Sequence, residues 1–382
     1  MAESPERSVL VIGGGTSGNA LTVLLRRAGI AVDLVEASPD WKASAGAGIT
    51  LQGNALRVLR EVGVLDAVER DGYAAEGIAL LAPDGTVLHA HDELRTGGDD
   101  LPSHIGMQRP RLQQLLIDQV RASGADVRLG TTATAFRQDD EGVDVTFSDG
   151  TGRRYALVAG CDGLGSGTRT MIGITDAPRP TGMAIWRAPA PRPAGVTRTE
   201  MIYGGRCFIA GYCPTGEGTV YTYLVERSRD RAALNPDSYA DEMRSLAEGY
   251  GGAWTELRDA FTDPKAVNYA WFDRHLVEGP WHRGRIVLVG DSAHACPPTF
   301  AQGAAMSLED AQVLAELLTG QAGWDSASLD RALTAYHARR LPRVRMVVDA
   351  SVQLGQWLLD GVRDADVPGL MFRTMTALKE LP

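Results

Sequence analysis

The residues with the clearest chemistry are glycines at fixed spacing. Gly13-Gly14-Gly15-Thr16-Ser17-Gly18 follows an apolar run from Ser8 to Ile12 and opens a stretch of helical periodicity. Gly13 permits a tight turn, Gly15 lets the backbone approach a pyrophosphate, and Gly18 lets the helix pack close to the strand. The unpaired N–H groups of such a helix start attract phosphate. Glu36 ends the next apolar run, where a carboxylate accepts hydrogen bonds from an adenosine ribose. A bare glycine turn would need neither the acid nor the flanking elements.

Two further segments repeat the strand-to-glycine pattern: residues 159–169 (AGCDGLGSGTR) and residues 285–303 (RIVLVGDSAHACPPTFAQG). In the latter, Gly290 permits close approach and Asp291 is an acceptor at a strand end. Pro297 and Pro298 stiffen the loop. Gln302, Gly303 and Ala304 present free N–H groups at a helix start, which suits negative charge on a ring edge.

The elements around these motifs follow from periodicity. Ser8 to Ile12, Ala31 to Glu36, Tyr155 to Ala159 and Ile286 to Val289 read as buried parallel strands. Helices are expected over 19–28, 54–62, 109–122, 236–248, 253–261, 302–318 and 329–359, with Pro342 kinking or breaking the last. Residues 77–90 form a hairpin around Pro83-Asp-Gly-Thr86. Residues 183–226 change character: a hairpin turns at Gly204-Gly205, and Thr219, Tyr221, Tyr223 and Val225 alternate onto one face of an antiparallel sheet.

The chain has 382 residues, 44% hydrophobic and 23% charged, with a net charge of −10. That is ordinary for a folded protein and lacks the basic footprint of a nucleic-acid binder. Only Lys42, Lys265 and Lys379 are lysines, so arginine supplies nearly all the positive charge. There is no apolar run of membrane-spanning length and no signal-peptide pattern. Four cysteines show no metal spacing, so no metal is expected and a cytoplasmic location is.

In this order and spacing, the three glycine segments resemble the single-component, FAD-dependent aromatic monooxygenases of the 4-hydroxybenzoate hydroxylase family. The resemblance runs from Val9 to about Arg340. It implies an α/β fold: a Rossmann-type FAD-binding domain (1–76, 103–182, 276–330) interleaved with an antiparallel-sheet substrate domain (77–102, 183–275), then C-terminal helices (331–382). It also implies non-covalent FAD and NAD(P)H as co-substrate, with Gly13, Gly15, Gly18 and Glu36 at the ADP half. Arg109 would reach the phosphates, Asp162 and Arg169 would serve both FAD and the nicotinamide donor, and Asp291 would take the ribityl chain. Gly290, Pro298, Gln302, Gly303 and Ala304 complete that set. Residues 300–310 are most similar to the salicylate and 6-hydroxynicotinate hydroxylase branch. Two departures stand out: Ala301 replaces a common glycine, and Lys42 stands near a missing arginine.

The antiparallel segment is then expected to roof the flavin. Tyr203, Tyr221, Tyr223 and Pro298 form the expected catalytic set, and Trp186, Arg187, Arg206 and Tyr212 the expected substrate set. Any one tyrosine could instead pack the sheet, and either arginine could lie on the surface. No histidine occurs between His104 and His275, so none is expected from this sheet. The implied reaction is hydroxylation of a small aromatic or heteroaromatic molecule with O2 through a flavin C4a-hydroperoxide. A C=C epoxidase or reductase, and a flavin protein that sequesters an intermediate, share the fold. The chain is expected to be a monomer or homodimer, with no membrane or nucleic-acid partner.

Overall fold

Ser8–Ile12 is apolar at nearly every position because neighbours cover it on both faces. In the computed structural model, which describes residues 7–41 and 48–382, it lies inside a six-stranded sheet. Lys42 falls outside the described residues. Leu157–Gly160 and Ala31–Glu36 flank Ser8–Ile12 in parallel; Asp126–Leu129 and Ile286–Leu288 extend the sheet on either side. His282–Arg283 closes one edge as an antiparallel hairpin. The parallel strands bring Gly13, Cys161 and Val289 to one sheet edge, where open α/β sheets bind ligands.

The helix after the first turn, Thr16–Arg27, starts three residues earlier than its apolar face suggests. Polar residues in a first turn carry no periodicity. Arg109–Ala122 matches its expected bounds, with Leu112, Leu115, Leu116 and Val120 buried. Short elements at Leu65–Asp71 and Gly152–Tyr155 were not legible, each being too brief for a repeat.

A second, eight-stranded sheet runs His294–Ala295, Asn268–Leu276, Arg179–Pro191, Thr219–Arg227, Ile209–Gly216, Thr199–Tyr203, Ile78–Leu81, Val87–His91. All its neighbours are antiparallel except Thr199–Tyr203 with Ile78–Leu81. Gly204 and Gly205 both have positive φ in the turn, as the hairpin reading required. One face carries its own apolar core with Trp186, Tyr212, Leu224 and Trp254. The opposite face looks toward the parallel sheet.

Ser326–Asp360 is one helix of 35 residues and passes through Pro342 without a break. Proline removes one hydrogen bond and crowds the preceding turn. Here Tyr336, Arg340, Val344 and Val347 are buried on both sides of it, so packing outweighs that local cost. Ala301 is a different kind of exception. Its φ of 53° and ψ of 30° are left-handed, which costs a residue with a Cβ about 1–2 kcal/mol. Ala301→Gly should therefore leave the loop intact and add about 0.5–1 kcal/mol of stability, since greater freedom of the unfolded chain offsets part of the relief. A lower unfolding midpoint for that variant would show that the strain is not real.

Candidate active site

The edge of the parallel sheet and the inner face of the eight-stranded sheet enclose one cavity of about 550 Å³. Its floor is built from the glycine segments. A Cβ at Gly13 would overlap the Cys161 carbonyl, and one at Gly18 would overlap the Gly13 carbonyl. At Gly15 the Cβ direction is open, and Gly15, Thr16 and Ser17 line the cavity. The helix that follows has neither a side-chain cap nor an acid in its first turn, and the same holds for Gly303–Thr319, where Gly303 and Ala304 face the cavity. Both starts leave positive ends for an anionic or electron-rich group.

Glu36 fastens the turn. One carboxylate oxygen accepts the Gly14 N–H at 2.7 Å and the other the Ser38 N–H at 2.8 Å. Asp162 and Arg169 are occupied in the same way. Asp162 accepts from Thr168 N–H at 2.8 Å and from the Ser166 hydroxyl. Arg169 is buried and donates to the carbonyls of Ser292 and Leu164, each at 2.9 Å. Arg169 therefore ties the second glycine segment to the third and does not line the cavity, which corrects the expectation of direct cofactor contact. Cys161, Gly163 and Leu164 supply that wall instead.

At Gly290, φ is +65°, and a Cβ would crowd the Ser307 and Ser17 hydroxyls. Asp291 beside it opens into the cavity, as do Pro298 and Arg109. The protein around Asp291 desolvates its carboxyl and raises its pKa above the ordinary value, although His294 and Arg109 pull the other way. Arg109 is shifted down, first by desolvation and then by the neighbouring Arg187 charge. The Gln302 side chain turns inward: Asn54 donates to it at 3.1 Å, and its own amide reaches Met375 Sδ.

Beneath this loop lies a buried charge cluster. Asp310 accepts the Gly290 N–H at 2.9 Å and pairs with His294 at 2.6 Å. Arg340 donates to Asp310 at 2.7 Å and to Glu309 at 2.9 Å, with all three side chains 0% exposed. Arg343 grips both oxygens of Glu309 at 2.8 Å. The cluster holds the start of the Asp291 loop against the Gly303–Thr319 helix.

The roof follows strand parity. Tyr221 and Tyr223 line the cavity with Ile185 and Arg187 from the adjacent strand, where Arg187 pairs with Tyr223 and Ile185 with Val225. Trp186 must then point to the opposite face. It is fully buried there, donating to Glu226 at 2.7 Å and packing on Tyr239 and Tyr269. Tyr212 pairs across with Thr222, so it too sits in the far core, bonded to Glu200 and against Trp254. Arg206 is on the surface beside Glu248. Trp186 and Tyr212 leave the substrate set because adjacent strand residues cannot share a face, and Arg206 leaves it because it lies in an exposed turn. Tyr203 lines the cavity from the Thr199–Tyr203 strand. Burial raises the pKa of Tyr221 and Tyr223, which makes them hydrogen-bonding groups rather than bases, whereas Tyr203 is 40% exposed. Tyr221 also explains Gly48, where a Cβ would collide with its ring.

The cavity does contain a histidine. His104 enters from His104–Met107, a strand of a separate small sheet, with Glu93 beside it. The 183–226 segment supplies no histidine, as its sequence requires; His104 comes from outside it.

A family profile described as an FAD binding domain matches residues 6–351. The chain belongs to that family. It is 32% identical to the 3-amino-4-hydroxybenzoate 2-monooxygenase of Streptomyces platensis, over 94% of this chain and 92% of the relative. It is also 32% identical to the aurachin C monooxygenase/isomerase of Stigmatella aurantiaca, over 92% and 90%. Among solved structures, Klebsiella pneumoniae HpxO complexed with FAD and uric acid superimposes with a TM-score of 0.81 at 24% identity, covering 98% of this chain and 92% of that one. The protein is an FAD-dependent monooxygenase.

The residues present fit that cofactor. Two uncapped helix starts, the open side of Gly15, Arg109 and the accessible Asp291 share the cavity. Gly15 and Arg109 would hold phosphate, Asp291 a ribityl hydroxyl, and Gly303 and Ala304 the flavin ring edge. When bound, FAD supplies the electron transfer and oxygen activation that side chains lack.

Proposed function

We propose that the protein hydroxylates a small aromatic or heteroaromatic molecule, with NAD(P)H as reductant and O2 as oxygen donor. The observation that carries this reading is the roof of the cavity: Tyr203, Tyr221 and Tyr223 stand over the flavin-binding floor, beside Arg187. The Nε of Arg187 is buried without a hydrogen-bond partner. A guanidinium with a free Nε–H, beside Tyr221 in an aromatic slot, suits a planar substrate with an anionic or phenolic oxygen. Relatives named as a 3-amino-4-hydroxybenzoate 2-monooxygenase, a 6-hydroxynicotinate 3-monooxygenase and a 2-heptyl-3-hydroxy-4(1H)-quinolone synthase support the same class.

In this reading the chain's own residues position the ring, exclude water and handle the phenolic proton, while Tyr221 beside Arg187 hydrogen-bonds the substrate oxygen. FAD is held without a covalent bond. The parallel-sheet part (1–76, 103–182, 276–330) binds it, and the eight-stranded sheet (77–102, 183–275) supplies the substrate wall. Free cysteines at 161, 207, 213 and 296 suit a reducing cytoplasm, and no helix among the described residues is long and apolar enough to cross a membrane. A monomer or homodimer is the proposed state.

The test is NAD(P)H oxidation by the purified yellow protein over phenols, hydroxypyridines and anilines, with 18O2 incorporation into product. Substrate-independent oxidation, or reduction without oxygen incorporation, would reject hydroxylation. Tyr221→Phe should slow hydroxylation more than flavin reduction and raise hydrogen peroxide release. A Phe variant with unchanged coupling would remove Tyr221 from the reaction.

A further inference from the structure

The roof of the cavity is sorted by register into a polar and an apolar band. At one end Tyr221 pairs with Cys213, which accepts the Thr199 hydroxyl at 3.2 Å, and His104 Nε2 lies 3.1 Å from that hydroxyl. In the middle Arg187 pairs with Tyr223, and the Tyr221 and Tyr223 rings lie 5.3 Å apart. At the other end one continuous line crosses four strands: Ala270 pairs with Ile185, Ile185 with Val225, and Val225 with Ile209. All four line the cavity.

That line offers a ligand nothing polar. None of the four side chains carries a donor or an acceptor. Ile185, Val225 and Ile209 sit on interior strands, so their backbone N–H and C=O groups face partner strands. Phe272 lines the cavity with them, and Leu358 and Leu359 of the long helix pack against the same group. A polar group placed here would lose its water without a replacement partner, whereas an apolar group gains by leaving water. The residues assigned to FAD come from other elements, so the cofactor's own contacts leave this line free for a second molecule.

We propose that this line holds an apolar side chain of the substrate, so that the molecule oxidised is an alkyl- or alkenyl-substituted phenol or heteroaromatic rather than a bare polar ring. The placement follows strand alternation. Ile185 and Arg187 stand two residues apart on one face of one strand, and Val225 and Tyr223 do so on the next. A ring whose oxygen meets Arg187 lies against Tyr221 and Tyr223, and a chain leaving its opposite side runs onto Ile185 and Val225. The site rests on the aromatic-hydroxylase reading and deepens it. Ile185, Val225, Ile209 and Ala270 set specificity; none supplies a group to the reaction.

The test uses the FAD-loaded enzyme and two series of phenols, with straight 3-alkyl or 4-alkyl chains from methyl to pentyl. Binding is followed by perturbation of the flavin spectrum. In at least one series each added methylene should tighten binding about 3- to 4-fold until the line is covered. A hydroxyl at the end of a propyl chain should reverse most of that gain. Ala270→Phe fills the line from an alanine that already faces the cavity, and should flatten the dependence on chain length in a variant that still retains FAD. Where that variant does not fold, Val225→Thr decides: it keeps the side-chain shape, puts a hydroxyl in the line and should reduce the gain per methylene. Arg187→Met should weaken every member of the series and keep the gain. Equal affinity along both series in wild type, or a gain per methylene that survives the deciding variant, would overturn the site and leave hydroxylation standing. NAD(P)H oxidation that no phenol of either series stimulates would reject the aromatic-hydroxylase reading itself, and this site with it.

Discussion

Arg340→Met should cost about 3–5 kcal/mol of stability, the usual penalty for removing one partner from a buried ion cluster. Methionine nearly fills the volume but leaves Glu309 and Asp310, both 0% exposed, short of their central cation. In the wild type, burial alone would raise both carboxyls. Arg340 and Arg343 at Glu309, and His294 and Arg340 at Asp310, outweigh it and hold them below the ordinary value. The pH dependence follows with a definite sign. A depressed folded pKa contributes stability above the unfolded value of about 4, and that contribution is lost as pH falls through the folded pKa. Without Arg340 the two carboxyls titrate higher, so the gap between variant and wild type should narrow in acid. Denaturant unfolding at neutral and acidic pH checks both parts. A loss below about 1 kcal/mol at neutral pH would mean that Arg343, with Arg57 at 3.8 Å from Glu309, already neutralises the cluster.

That cluster shows where sequence reading reaches and where it stops. Glu309 and Asp310, two turns into a helix, suggest ion-pair partners, but Arg340 is 30 residues on, in a helix whose path depends on passing Pro342. No local pattern encodes that pairing. The glycine segments are legible for the opposite reason. Gly18 answers to the Gly13 carbonyl within one strand, turn and helix, and Gly13 and Gly290 to positive φ in their own turns, so local spacing carries that geometry. The parallel sheet was readable from four apolar runs because burial on both faces leaves the same mark on each.

The substrate wall was half readable. Alternation put Thr219, Tyr221, Tyr223 and Val225 on one face, and that face is the cavity. Applied to the neighbouring strand, the same rule separates Trp186 from Arg187, so chemistry alone cannot put both on one wall. Tyr212 could not be placed without its register against Thr222. His104 was hidden differently. It lies in a four-residue strand whose partners, Ile49–Gln52 and Tyr73–Ala74, are remote in sequence. Only the folded chain brings it to Thr199 and Glu93.

Asp291→Ala should weaken FAD binding about 10- to 150-fold, equivalent to about 1.5–3 kcal/mol for a hydrogen bond to a charged acceptor. The argument is geometric first. Gly290 permits the sharp turn, Asp310 holds its N–H, and the Asp291 carboxyl is left facing the cavity with only a 3.4 Å contact from Ser307. A carboxylate so placed is available to a ligand hydroxyl. It also carries a pH signature. Desolvation raises the Asp291 pKa, so the charged acceptor is lost at higher pH than for an ordinary aspartate. Wild-type FAD affinity should therefore fall as pH drops through that raised pKa, whereas the alanine variant, already without the acceptor, should be flatter. Glu36→Ala should act at the adenosine end with a similar or smaller loss, partly because Glu36 also secures the Gly14 and Ser38 N–H groups. Flavin fluorescence titrations across that pH range measure all three proteins. Unchanged affinity in both variants would show that neither carboxylate meets the cofactor, and a parallel pH slope in Asp291→Ala would assign the titration to another group.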